Sequence, residues 1–144
     1  MKVYADTSFL VSLYSQDAHS ARAAAEMSRF RGEVMLTTLG ELELTNALQL
    51  QIFRKEATED EVCRVRAKFA EHVQDGVFAF QPMPSDEYGR AQHITLKRTA
   101  TLGTRTLDIL HVASALLLHA DRFWTFDQRQ AALARAEGMR ILTL

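Results

Sequence analysis

Arg105-Thr106-Leu107-Asp108-Ile109-Leu110-His111-Val112-Ala113-Ser114-Ala115-Leu116-Leu117-Leu118 carries apolar side chains around nearly its whole circumference when wound as a helix. That is the pattern of a helix enclosed in a core rather than lying on a surface. One narrow polar stripe interrupts it: at spacings of three, four and four residues, Asp108, His111, Ala115 and His119 share a face. A carboxylate at the head of a buried helix must be paired, capped or bound to a cation, because an isolated charge is costly to remove from water. His111, on the same helix, suits a hydrogen-bonded core residue better than a general base.

Working outward, Thr99 to Thr104 is small and polar around Gly103 and reads as a mobile loop. On the other side, Arg122-Phe123-Trp124-Thr125 has the composition of a strand with Trp124 in the core, ended by Asp127. Gln128 to Glu137 follows as a helix, Gly138 stops it, and Arg140-Ile141-Leu142 reads as a last strand. Towards the N-terminus, Lys2-Val3-Tyr4-Ala5 is a strand that delivers Asp6-Thr7-Ser8 to its C-terminal end. Both Asp6 and Asp127 also suit helix N-caps.

An Ala-rich helix from about His19 to Arg31 precedes the strand Val34-Met35-Leu36-Thr37. Leu39 to Phe53 is a helix on which Leu39, Leu42, Ala47, Leu50 and Phe53 occupy one broad arc, with Glu43 and Asn46 inside it. Glu43 therefore has apolar wheel neighbours and stands out as a functional candidate, whereas Glu41, on the other side, reads as solvated. Thr58-Glu59-Asp60-Glu61 forms a capping box for a helix carrying Val62, Val65, Phe69 and Val73. After Gly76, Val77-Phe78-Ala79-Phe80 is the remaining strand, and Pro82 and Pro84 lead into a helix over 85–98.

A chain of 144 residues, 47% hydrophobic and 24% charged, suits a single domain, 1–144. No apolar run is long enough to span a bilayer and no signal-peptide layout opens the chain, so a cytoplasmic protein without membrane attachment is expected. Cys63 has no second thiol with which to form a disulfide or share zinc. A net charge of -1 gives no overall attraction to nucleic acid, so a polyanion would need a bound cation or a local basic cluster such as Arg54-Lys55 or Lys97-Arg98.

Strands alternating with helices specify an α/β fold, a mainly parallel sheet covered on both faces. In such folds sites form beyond the C-terminal strand ends where the order reverses. With order 3-2-1-4-5, Asp6 and Asp127 face each other across that crevice, and Asp108 and Glu43 reach the same edge. Clustered carboxylates repel unless a cation sits among them, and oxygen-only ligands select Mg2+ or Mn2+ over Zn2+. A magnesium site of this type keeps waters and open positions, which suits phosphate chemistry: the ion would bind a phosphodiester oxygen, help deprotonate the attacking water and stabilise the leaving 3' oxygen.

Asp6-Thr7-Ser8 after the first strand, Glu43 followed by Asn46-Ala47, the segment Arg105 to Ala113, and Thr125-Phe126-Asp127 together resemble a PIN domain. They are most similar to the small VapC-type ribonuclease toxins of bacterial toxin-antitoxin pairs, and the likeness runs through the whole chain in order. The resemblance implies a three-layer αβα domain and a Mg2+- or Mn2+-dependent endoribonuclease, inhibited by a cognate antitoxin protein and commonly a homodimer. Carried over by position, it implies catalytic and metal-holding roles for Asp6, Glu43, Asp108 and Asp127. Thr7, Thr125 and Asn46 would support them; Glu43 matches the second acid more naturally than Glu41, given Asn46. Arg105 suits a contact to RNA phosphate or a surface ion pair.

Three other readings compete. A phosphatase of the haloacid dehalogenase type would want a second Asp where Ser8 stands. A receiver domain would want a further acidic pair and a lysine after the last strand, where the chain has Thr143 and Leu144. A non-catalytic module that binds RNA or a partner with metal support is disfavoured only by the complete acidic set.

Overall fold

The structure is a computed structural model that describes residues 1–142. Five parallel strands, β1 (Lys2–Ala5), β2 (Glu33–Thr37), β3 (Ala79–Gln81), β4 (Arg122–Trp124) and β5 (Arg140–Ile141), form one sheet in the order β3-β2-β1-β4-β5. The expected strand order is therefore the observed one. Thr143 and Leu144, which bear on the receiver-domain comparison, lie outside the described residues.

Alternation along the strands divides the core between the two faces. Val3, Ala5, Val34, Leu36 and Trp124 pack one way, against α1 (Thr7–Tyr14), α2 (Ser20–Arg29), α3 (Thr38–Phe53) and α4 (Glu59–Gln74). Tyr4 and Phe123 point the other way, into α5 (Glu87–Ile94), α7 (Thr106–Leu117) and α8 (Gln128–Ala136). This is the αβα arrangement expected of strands that are apolar on both faces. In α7 every residue from Ile109 to Ala115 is buried, as its apolar circumference requires.

Three local expectations are corrected. Of the expected loop Thr99 to Thr104 only Gly103 and Thr104 lie outside helix: α5 continues through a π-helical turn, Thr95–Thr99, into the short α6 (Ala100–Leu102). The run ends only at Gly103, whose φ of +64° suits a residue without Cβ. Thr99 and Thr104 bond each other across this end at 2.9 Å, and Arg98 is spent on Glu137 at 2.7 Å, with Lys97 at 3.9 Å from the same carboxyl. Second, the third strand is shifted to Ala79–Gln81. Third, α7 ends before His119, which takes a left-handed φ of +56° and leaves the polar stripe.

The capping box at Thr58 is present in both directions, with Glu61 N–H donating to Thr58 Oγ1 at 3.2 Å and Thr58 N–H to Glu61 Oε2 at 3.3 Å. Thr58→Ala should therefore cost about 1 kcal/mol of stability, read as a lower urea midpoint at an unchanged slope.

Candidate active site

The site grows from the pairing of β1 with β4. Ala5 stands opposite Trp124, and the next residue, Asp6, donates its backbone N–H to the Trp124 carbonyl oxygen at 3.1 Å. Asp6 is thereby fixed at the C-terminal edge of the sheet, 3% exposed, as the N-cap of α1. Its Oδ1 accepts Phe9 N–H at 3.0 Å and Ser8 Oγ at 2.7 Å; its Oδ2 accepts Thr125 Oγ1 at 2.6 Å. Burial pushes the Asp6 carboxyl above its ordinary range, against the opposing pull of His111, Thr125, Phe9 and Ser8. Among the described residues no lysine or arginine pairs with it.

Thr125 also accepts Asp127 N–H at 3.0 Å, and Ser8 Oγ accepts Phe126 N–H at 2.9 Å, so the turn after β4 is tied to the turn after β1. Asp127 caps α8, its Oδ1 accepting Arg129 N–H at 2.8 Å and Gln130 N–H at 3.2 Å. Capping and a place at the acidic edge thus coexist in both Asp6 and Asp127. Arg105, at the N-cap of α7, reaches Asp108 Oδ2 with Nε at 3.2 Å and lies 3.8 Å from Asp127 Oδ2. Its guanidinium is exposed, and its pKa is raised chiefly by the bond to Asp108. Both expected roles of Arg105 remain compatible with this position, since an exposed pair is easily exchanged for another anion.

Glu43 comes from α3, where it accepts Thr7 Oγ1 at 2.8 Å and is bonded to His111 Nε2. Burial works to raise its carboxyl, but the bonds and charge from His111, then Thr7, hold it below the usual range. The apolar arc expected around it is not a buried face: Leu42 is 66% and Phe53 83% exposed, while Leu44 and Leu48 are buried. Glu43 turns inward because Thr7 and His111 receive it. Glu41 is exposed, as expected, and Asn46 is exposed with no hydrogen bond to any of the acids.

The four acids thus arrive from four elements at one edge, in three linked groups: Asp6 with Ser8 and Thr125, Glu43 with Thr7 and His111, and Asp108 with Asp127 through Arg105. Among the described residues no three His, Cys, Asp or Glu side chains stand as a ready-formed metal cluster. The chemistry of the set nevertheless fits a hard divalent ion. All four donors are carboxylates, and Asp6 Oδ2 accepts one bond, leaving an oxygen lone pair without a protein donor.

Sequence reasoning passed over Ser8 and Tyr4. Ser8 lies two residues after Asp6, where its hydroxyl can close an Asx-type turn. Tyr4, on β1, lies two before Asp6, and because the backbone stays extended through Asp6 the two-residue period puts both on one face; its hydroxyl is 2.8 Å from His111 Nδ1.

The family model described as PIN domain matches residues 3–136. No curated protein matches the sequence. A VapC toxin of Mycobacterium tuberculosis described as cleaving the sarcin-ricin loop superimposes with TM-score 0.69 at 16% identity, covering 90% of this chain and 93% of that one. A VapBC structure from Rickettsia felis, bound to a DNA fragment from its promoter, gives TM-score 0.70 at 10% identity, over 100% of this chain and 99% of its own. FitAcB from Neisseria gonorrhoeae gives TM-score 0.68 at 15% identity, over 98% and 96%. At these identities the superpositions establish a shared fold.

Proposed function

The chain belongs to the PIN-domain family, and from that premise we propose that it is a Mg2+- or Mn2+-dependent endoribonuclease, one domain over 1–144, acting in the cytoplasm as the toxin of a toxin-antitoxin pair. The observation that carries this reading is the position of Asp6. A carboxyl buried at the switch point of a parallel sheet, with hydroxyl and N–H donors but no lysine or arginine partner among the described residues, gains most from a cation. Asp127, Asp108 and Glu43, at the same edge, would supply the remaining oxygen ligands.

The divalent ion would supply Lewis-acid stabilisation of the phosphate and a lowered pKa for the attacking water. Asp6, Glu43, Asp108 and Asp127 would hold it. Thr125 and Ser8 orient Asp6; Thr7 orients Glu43. Arg105, exposed beside Asp108 and Asp127, would receive an RNA phosphate, to which a guanidinium can donate two parallel bonds.

The fold shared with VapBC and FitAcB supports a protein partner, and the partners proposed here are a cognate antitoxin and a second copy of this chain. Leu42 and Phe53 leave apolar surface on α3 for such contacts. No helix among the described residues is long and apolar enough to cross a membrane.

The test is incubation of purified, partner-free protein with total cellular RNA in Mg2+, in Mn2+ and in EDTA, beside Asp108→Asn. Discrete cuts that require metal and disappear in the variant are expected, and mapping their ends identifies the target. Metal-supported RNA binding with no cuts under any condition would replace the nuclease by the binding module.

A further inference from the structure

His111 is 3% exposed on α7, yet both of its ring nitrogens are engaged. Nδ1 lies 2.8 Å from Tyr4 Oη, and Tyr4 Oη lies 3.1 Å from Thr37 Oγ1 at the N-cap of α3. Nε2 is bonded to Glu43 Oε1 and stands 3.2 Å from Thr7 Oγ1. In both protonation states of the ring the Nε2 proton goes to Glu43, which can only accept: a neutral ring takes the Tyr4 proton at Nδ1, and an imidazolium donates from Nδ1 to Tyr4, which then donates to Thr37. The Tyr4 end is rigid, since that side chain is fully buried and its ring stacks on Phe123 at 5.4 Å between centroids.

Every bond to the Glu43 carboxylate falls on Oε1. Oε2 has no hydrogen-bonded partner among the described residues. Carboxylates that ligate metals are commonly held by one oxygen while the other is presented.

We propose that His111 is a positioning residue: it ties Glu43 Oε1 to the buried Tyr4–Thr37 pair and so holds the free Oε2 for the divalent ion. The inference rests on the acidic set being the metal site. It differs from a core-filling role in depending on where the ring nitrogens lie, and side-chain amides separate the two. Asparagine places its amide near the Nδ1 position, whereas glutamine reaches the Nε2 position and Glu43.

The experiment measures Mn2+ affinity by calorimetry and by the paramagnetic resonance of free Mn2+, without RNA, for wild type, Glu43→Gln, His111→Asn, His111→Gln and Tyr4→Phe. His111→Asn is expected to weaken Mn2+ about 10- to 100-fold, as Glu43→Gln does, and His111→Gln, which keeps the bond to Glu43 but loses the one to Tyr4, only several-fold. Tyr4→Phe keeps the packing, removes the anchoring hydroxyl, and should weaken Mn2+ several-fold, so the inference stays testable if a His111 variant does not fold. Equal binding by all the His111 and Tyr4 variants overturns the inference, as does an equal loss in His111→Gln and His111→Asn. A wild-type protein that takes up no Mn2+ overturns the metal-site reading, and this inference with it.

Discussion

Asp6→Asn is expected to lower metal-dependent RNA cleavage by on the order of 10² to 10³, while the metal-free protein stays folded and close to wild type in stability. The two halves of this expectation have separate causes. Asparagine caps a helix as well as aspartate does, so the bond from Phe9 N–H to the side chain survives. What disappears is the negative charge at the most buried point of the acidic edge. In EDTA that charge is a burden, because burial raises the Asp6 carboxyl above its unfolded value. A group whose folded pKa is raised contributes most when protonated. Its contribution is lost as pH rises from the unfolded carboxylate value through the raised folded one. The asparagine side chain does not titrate, so in EDTA the variant should gain on wild type as pH increases over that window. Added Mg2+ should reverse the ranking by stabilising only the protein that binds it. Urea unfolding in EDTA and in Mg2+, beside RNA cleavage, checks both halves; undiminished cleavage by the variant would remove Asp6 from the reaction.

Much of this was legible in the sequence where one cause dominates. Seven consecutive buried residues in α7 follow from an apolar circumference, a parallel sheet follows from alternating strands and helices, and the order that would bring Asp6 and Asp127 together is the one the sheet takes. Where several causes compete, the sequence alone misleads. In α3 the apolar residues are spread so widely around the wheel that no face is preferred, and packing against α1 and α4 buries Leu44 and Leu48 while leaving Leu42 and Phe53 in solvent. Three of the apolar wheel neighbours of Glu43, Leu42, Leu50 and Phe53, are exposed, and Glu43 turns inward for a different reason, the donors Thr7 and His111. Those donors come from elements 36 and 68 residues away, a distance that wheel geometry does not see. Likewise the small polar run after Arg98 stays helical because Arg98 is anchored on Glu137 and the Ala136 carbonyl, contacts from the far side of α7 in sequence.

Trp124→Ala should be among the most destabilising single changes, about 3–5 kcal/mol out of a total on the order of 5–15 kcal/mol. Trp124 is 2% exposed, with its ring 4.9 Å from Phe9 and 5.2 Å from Phe30 between centroids, so truncation opens a cavity between β4 and α1. The same residue joins fold to site through its backbone, since its carbonyl accepts Asp6 N–H and it stands in register with Ala5. Phe9, which would move to fill the cavity, carries the N–H that Asp6 caps. The substitution should therefore weaken Mn2+ binding as well as lower the urea midpoint, although Trp124 touches no ligand. Phe53→Ala removes a side chain of similar apolar character from a position exposed in the single chain and should change the stability of the dilute, partner-free monomer by less than about 0.5 kcal/mol. A Trp124→Ala cost as small as that of Phe53→Ala would mean that α1 is not held against β4 by this contact, and Asp6 would need another anchor.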